Sequence, residues 1–126
     1  MKTQYAIPLA MLAGAVLGGA AMHGLHAQTK PQAYQVIEVN VKDPDLYKQY
    51  AEQAMPLQIQ YSARFIARGG RVDSFAGEPP KRAVIAIYDS LEKVQALRDS
   101  PEYKALVPLR DKAADYHSFI VEGVAN

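Results

Sequence analysis

Apolar and polar residues alternate with a period of two through "AYQVIEVNV", residues 33–41. Ile37, Val39 and Val41 share one side, and Tyr34, Val36, Glu38 and Asn40 the other, which predicts a strand rich in β-branched residues. The period then changes. Leu46, Tyr50, Ala54, Leu57 and Tyr61 recur at three- and four-residue steps, the spacing of one helical face. "KDPD" supplies the start, with Asp43 suited to capping and Pro44 to the first helical position. Pro56 lacks a backbone donor and predicts a kink near Met55. "RFIARGG", residues 64–70, alternates again, with Phe65 and Ala67 on one side and Arg64, Ile66 and Arg68 on the other. "RVDSF" can continue that strand beyond the glycine pair, which suggests a bulge or a close backbone approach.

After the turn "GEPPK", the run "RAVIAIY" reads as a buried strand. "DSLE" opens a second helix with Asp89 or Ser90 as cap and Leu91, Val94 and Leu97 on its inner face. "SPEY" restarts helix at Pro101, with Tyr103 and Leu106 packing, and "YHSFIVEG" is the last strand. The order strand–helix–strand–strand–helix–strand predicts an α+β fold, a ferredoxin-like βαββαβ sandwich with an antiparallel sheet and helices on one face. The other sheet face is too apolar to stay wet. A second subunit is the simplest cover, giving a homodimer in which two sheets face each other as a dimeric α/β-barrel.

Composition narrows what such a domain can do. The chain has 126 residues, and its first segment is atypical of a fold. Lys2 precedes an uncharged stretch, Ala6 to Met22, rich in Ala, Leu and Gly, and Leu25 and Ala27 sit at the −3 and −1 positions of the expected cleavage site. Residues 1–27 are therefore expected to be a secretory signal peptide. A retained anchor is the competing reading, weakened by the run's shortness and its glycines. Residues 28–126 form the expected domain, exported to the periplasm or secreted, with no membrane attachment after cleavage. There is no cysteine, so disulfides, zinc–thiolate centres and iron–sulfur clusters are excluded. Past residue 27 the lysines and arginines balance the acids, which offers no electrostatic footprint for nucleic acid. His117 is the only histidine there, so no multi-histidine metal centre can form within one chain, and no metal or cofactor is expected. No G-x-S-x-G elbow, P-loop or G-x-G-x-x-G occurs.

The motifs "DPDLYKQYAEQ", "RFIARGG", "EPPKRAVIAIYDSLEK" and "SPEYKALVPLRDKA", in this order, resemble the domain of unknown function 1330 family over roughly residues 33–122. That family resembles the dimeric α/β-barrel superfamily, which includes cofactor-independent monooxygenases, small isomerases, stress-response barrels and haem-binding dismutases and peroxidases. The resemblance falls on Tyr47, Tyr50, Arg68-Gly69-Gly70, Arg82, Ser90, Ser100, Tyr103 and Arg110. The chain departs from the family at Ser62-Ala63, where a glycine pair is common, at Leu97, where a tryptophan is, and at Tyr88, where a phenylalanine is. Membership implies the fold and no particular activity.

Arg68 can clamp an anion through its planar fork, aided by glycine amides, or pair with Glu38 or Glu122 at a bent strand end. His117 can act as a general base, bind haem axially, or sit at a strand edge with an ordinary hydrogen bond; it shares a face with Phe119 and Val121. Glu38 and Asn40 share a face with Tyr34 and Val36. Either they line an apolar cavity or they lie at an exposed strand end. The tyrosines suit a pocket wall or plain helix-to-sheet packing. Arg110 beside Asp111 reads as a surface pair. The leading expectation is a small-molecule-binding protein for an apolar acid, with Arg68, Glu38, Asn40 and Tyr34 as ligand contacts. A cofactor-independent enzyme, monooxygenase- or isomerase-like, with His117 and Arg68 as catalytic residues is the alternative. A ligand-free structural dimer is the third reading.

Overall fold

The structure, a computed structural model, describes residues 30–125. The proposed signal segment 1–27 lies outside the described residues. Four strands, β1 (Ala33–Val41), β2 (Arg64–Arg68), β3 (Arg82–Tyr88) and β4 (Ala114–Glu122), form one antiparallel sheet in the order β2-β3-β1-β4. Three helices, α1 (Pro44–Gln60), α2 (Leu91–Asp99) and α3 (Pro101–Ala113), complete the domain. The α+β, ferredoxin-like order expected from the sequence is the order observed. No described helix is long and apolar enough to cross a membrane.

Each helix starts where the sequence provides an acceptor. Asp43 Oδ1 accepts from Leu46 N at 3.1 Å, Ser90 Oγ from Lys93 N at 3.3 Å, and Ser100 Oγ from Tyr103 N at 3.2 Å. Between Asp89 and Ser90, the serine is the cap. Helix α1 continues through Pro56 to Gln60. Pro56 and Glu52 are both exposed, so water can satisfy the carbonyl that the proline leaves without a donor.

Alternation divides the sheet into two faces. Ala33, Gln35, Ile37 and Val39 of β1, Val84, Ala86 and Tyr88 of β3, and Ala114 of β4 are buried against the helices. Tyr50 and Ala54 of α1, Val94 and Leu97 of α2 and Tyr103 of α3 close over them. Tyr88 is fully buried, and its hydroxyl donates to Gln35 Oε1 at 2.8 Å. Gln35 Nε2 in turn donates to Ser118 Oγ at 3.2 Å, so this polar group inside the core is satisfied. Gln58, absent from the sequence-derived stripe, is buried on α1 because it joins the same network.

The opposite face carries Tyr34, Val36, Glu38 and Asn40 of β1, with Val36 in register between Ile85 and Phe119 and Glu38 between Ala83 and His117. Ile87 of β3 is buried on this face, but the β4 side of it is open. Phe119 and Val121 remain 45% and 51% exposed.

Two expectations need correction. "RVDSF" is not a strand: residues 69–81 form an irregular loop, turned by Gly69 at φ +72° and Gly77 at φ +79°. The facing of β2 also differs from strict alternation. A bulge between Phe65 and Ala67 leaves Ile66 as an extra residue, so Phe65 pairs with Ala86 and Arg68 with Val84. Phe65 and Arg68 therefore share the helix-covered face, whereas alternation would separate them. At the α1–β2 turn, Ser62 takes φ +79°, a conformation that glycine adopts at less cost. Its Oγ accepts from Asp89 N at 3.0 Å, which offsets part of that strain.

Candidate functional site

The helix-covered face carries a cluster of tyrosines and arginines. Tyr47 and Tyr50 come from α1, Tyr103 and Arg110 from α3, Tyr116 from β4, Arg82 from β3 and Arg68 from β2. The strand residues reach this face by parity: Arg82 shares it with Val84 and Ala86, and Tyr116 with Ser118 and Ile120. The rings pack tilted or edge to face, with centroids 5.8 Å apart for Tyr47–Tyr50, 6.5 Å for Tyr50–Tyr103 and 6.1 Å for Tyr50–Tyr116.

The hydroxyls form a graded set. Tyr50 and Tyr103 Oη are 2.7 Å apart, and Arg110 Nη1 donates to Tyr103 Oη at 3.2 Å. The Arg110 guanidinium also lies 4.6 Å from the Tyr116 ring centroid and holds Asp111 Oδ1 through Nε at 3.0 Å. Burial works against that charge, but Tyr103 and then Asp111 outweigh it and keep Arg110 ionised. Arg110 is thus more than half of a surface pair. Tyr116 Oη is buried beside the Tyr50 and Tyr103 hydroxyls, close enough to feel both but with no well-aligned hydrogen bond to either. Burial, reinforced by the neighbouring tyrosines, pushes Tyr50 and Tyr116 well above the ordinary tyrosine range. They remain protonated and act as donors.

Beneath α1 this cluster encloses a cavity of about 40 Å³, lined by Tyr47, Tyr50, Phe65, Arg68, Arg82 and Tyr116 among others. Arg82 is its main charge. The guanidinium faces Tyr47, whose hydroxyl burial pushes up and Arg82 pulls down, yet Arg82 Nε is buried with no partner. No carboxylate among the described residues lies within ion-pair distance of Arg82 or Arg68. Arg68 sits at the exposed rim, with Nη1 3.7 Å from Met55 Sδ and its guanidinium carbon 5.4 Å from the Phe65 ring centroid. A Cβ on residue 69 would run into the Arg82 guanidinium. The first glycine of "RGG" therefore serves two needs: a left-handed turn, and room for an arginine thirteen positions further along.

The sequence-derived contacts divide between faces. Arg68 belongs to the covered cluster. Glu38, Asn40, Tyr34 and His117 lie on the open face, where Glu38 and His117 are direct cross-strand neighbours. Within one chain the structure does not bring Arg68 together with His117, nor with Glu38. His117 packs its ring 6.1 Å from Phe119. Arg82 and Tyr116 were missed as site residues. Their signal was a lone cation at the head of an apolar strand and a tyrosine in phase with Ser118 and Ile120.

The chain belongs to the domain of unknown function family DUF1330, whose model matches residues 32–124. Among curated proteins, none matches it. Its fold is similar to that of RPA0582, a protein of unknown function from Rhodopseudomonas palustris, at 16% identity and a TM-score of 0.63, covering 83% of this chain and 92% of that one. SnoaB, a cofactor-independent oxygenase from Streptomyces nogalater, is similar at 7% identity and a TM-score of 0.56, with 76% and 96% covered. A dimeric ferredoxin-like protein of unknown function from Thermobifida fusca is similar at 16% identity and a TM-score of 0.50, with 75% and 92% covered.

Proposed function

We propose that this protein is an exported homodimer that binds a small carboxylic acid, its charged end held between Arg82 and Tyr116. The observation that carries this reading is the pair of buried, unpartnered polar atoms, Arg82 Nε and Tyr116 Oη, around one cavity. A buried guanidinium N–H without an acceptor is costly, and a bound carboxylate supplies the missing acceptor. A cavity of about 40 Å³ suits the carboxylate and a short stem. The apolar remainder leaves past Met55, where Arg68 offers a second cation.

Binding is favoured over base catalysis by the chemistry of the lining. No carboxylate or histidine among the described residues lines this cavity, and its tyrosines are held in their donor form. An enzyme at this position would have to work by stabilising an oxyanion, with Tyr116 and Arg82 as donors. The apolar open face supports pairing with a second copy, in keeping with the dimeric Thermobifida protein of the same fold. Tyr34, Glu38, Asn40 and His117 then line the space between the two sheets.

Thermal-shift and calorimetric titration with acetate, butyrate and benzoate test the site. At least one acid is expected to bind, with affinity falling about tenfold or more in Arg82→Leu and unchanged in Glu38→Gln. Equal affinity in Arg82→Leu, or no acid bound by the unaltered protein, overturns the reading. Sedimentation of the Phe119→Lys variant tests the dimer, and the N-terminal mass of protein from the periplasmic fraction tests export.

A further inference from the structure

A second concavity lies on the far side of the tyrosine cluster, between α2, the start of α3 and the edge strand β4. Its volume is about 550 Å³. That falls within the range of small-molecule sites, about 300–1,000 Å³, and far exceeds the acid cavity beneath α1. Leu91, Val94 and Leu97 of α2 give it an apolar wall, and Ile120 of β4 extends it. Gln35 and Ser118, already bonded to each other, supply polar atoms at the floor.

Charge is what gives the crevice a direction. Its lining includes two guanidiniums, Arg98 and Arg110, and no carboxylate. The acids that these arginines touch, Asp99 and Asp111, are not part of the lining and are 65% and 59% exposed, so water screens both pairs. Arg110 is the better ordered of the two. Its Nε is engaged by Asp111, its Nη1 by Tyr103, and its face by the Tyr116 ring. Nη2 has no partner among the described residues and is available to a ligand. An apolar wall facing two cations is the complement of a molecule with a flat or aliphatic body and one anionic end.

We infer that this crevice is a second binding site, for an amphipathic anion of larger size than the acid held beneath α1. The body lies against Leu91, Val94 and Leu97, and the anionic group meets Arg98 and Arg110. The site does not depend on the acid cavity, because Arg82 and Arg68 take no part in it. The two share one wall, the Tyr116 ring.

The test is a fluorescence titration of the full chain with the aromatic sulfonate 1-anilinonaphthalene-8-sulfonate. Saturable binding of one probe per chain is expected. Gln95→Trp fills the crevice from a half-exposed position on α2, and Arg98→Gln removes an exposed cation, so neither disturbs the core. Each is expected to weaken the probe about tenfold, with the far-ultraviolet dichroism unchanged. Arg82→Leu, which removes the acid cavity's cation, leaves the probe's affinity as it was. The inference is overturned if either Gln95→Trp or Arg98→Gln leaves the affinity unaltered. Phe119 and His117 lie at the rim of the crevice, so the control on the open face is Val121: the inference is likewise overturned if Val121→Lys alone abolishes binding, since the probe would then sit on that face.

Discussion

The two faces of the sheet are made from the same strands and differ in how their polar groups are met. On the covered face every deep polar side chain has been drawn into a network, Gln35 with Tyr88 and Ser118, Tyr50 with Tyr103 and Arg110. The two exceptions, Arg82 Nε and Tyr116 Oη, stand out because their surroundings are otherwise satisfied. On the open face Glu38, Asn40 and His117 stand among apolar residues, and water can serve them. An unpartnered atom therefore carries functional weight on one face and none on the other. The contrast also separates two kinds of surface: the covered face holds the chain together and encloses the cavity proposed for an acid, while the open face leaves Phe119 and Val121 exposed.

Substitutions sharpen this contrast. Leu97→Ala removes a buried side chain between α2 and the sheet and is expected to cost about 2–5 kcal/mol in chemical denaturation, leaving a cavity that the helix cannot fill. Alkaline pH tests the same face without mutation. Burial pushes Tyr88 up to about 12 from its ordinary 10.0. The unfolded chain sheds this proton first, so stability is intact below pH 10 and falls as pH rises from there to about 12. Two pH units correspond to a Tyr88 contribution on the order of 3 kcal/mol, read as the difference between the unaltered protein and Tyr88→Phe across that window, since Tyr50 and Tyr116 shift the same way and add their own loss. Tyr88→Phe removes this titration, and its loss at pH 7 is expected to be about 1–3 kcal/mol because Gln35 and Gln58 lose an internal partner. Unchanged stability in Tyr88→Phe would show that water reaches this network.

Gly69→Ala is expected to cost about 1–2 kcal/mol for the left-handed turn, and to displace the Arg82 guanidinium, so acid binding should fall further than the stability does. Parallel calorimetric and denaturation curves would separate the two effects. Glu38→Gln on the open face is expected to change the stability of the fold by no more than about 0.5 kcal/mol. A larger loss would mean that this face is packed against something in solution.

Much of the fold could be read from the sequence, and the reason lies in its local signals. β1 and β3 announce themselves by period, and Asp43, Ser90 and Ser100 mark the helix starts they cap. The family motifs supplied the topology. Legibility stopped where one residue changes the count or where distance decides. The bulge at Ile66 leaves no mark in "RFIARGG", so plain alternation puts Arg68 with Arg64 and Ile66, whereas the strand places it with Phe65. Arg110 looked like a surface pair because Asp111 adjoins it in sequence, whereas Tyr103 and Tyr116 meet it only after α3 packs on β4. Gly69 suggested an anion-binding corner. Its neighbour in space is Arg82, and no local pattern joins the two.

The extra residue in β2 has a consequence of another kind. The address of Arg68 is set by counting, not by chemistry: the bulge takes Ile66 out of the register, and so places a full positive charge on the covered side, where a regular strand running through Ile66 would place it on the other. Deleting Ile66 would leave a regular strand in which Phe65 still pairs with Ala86 and Arg68 with Val84, so the charge would keep its side. What the extra residue changes is the local bend and twist of the strand, and a relative of this chain lacking it should present the arginine to the same face.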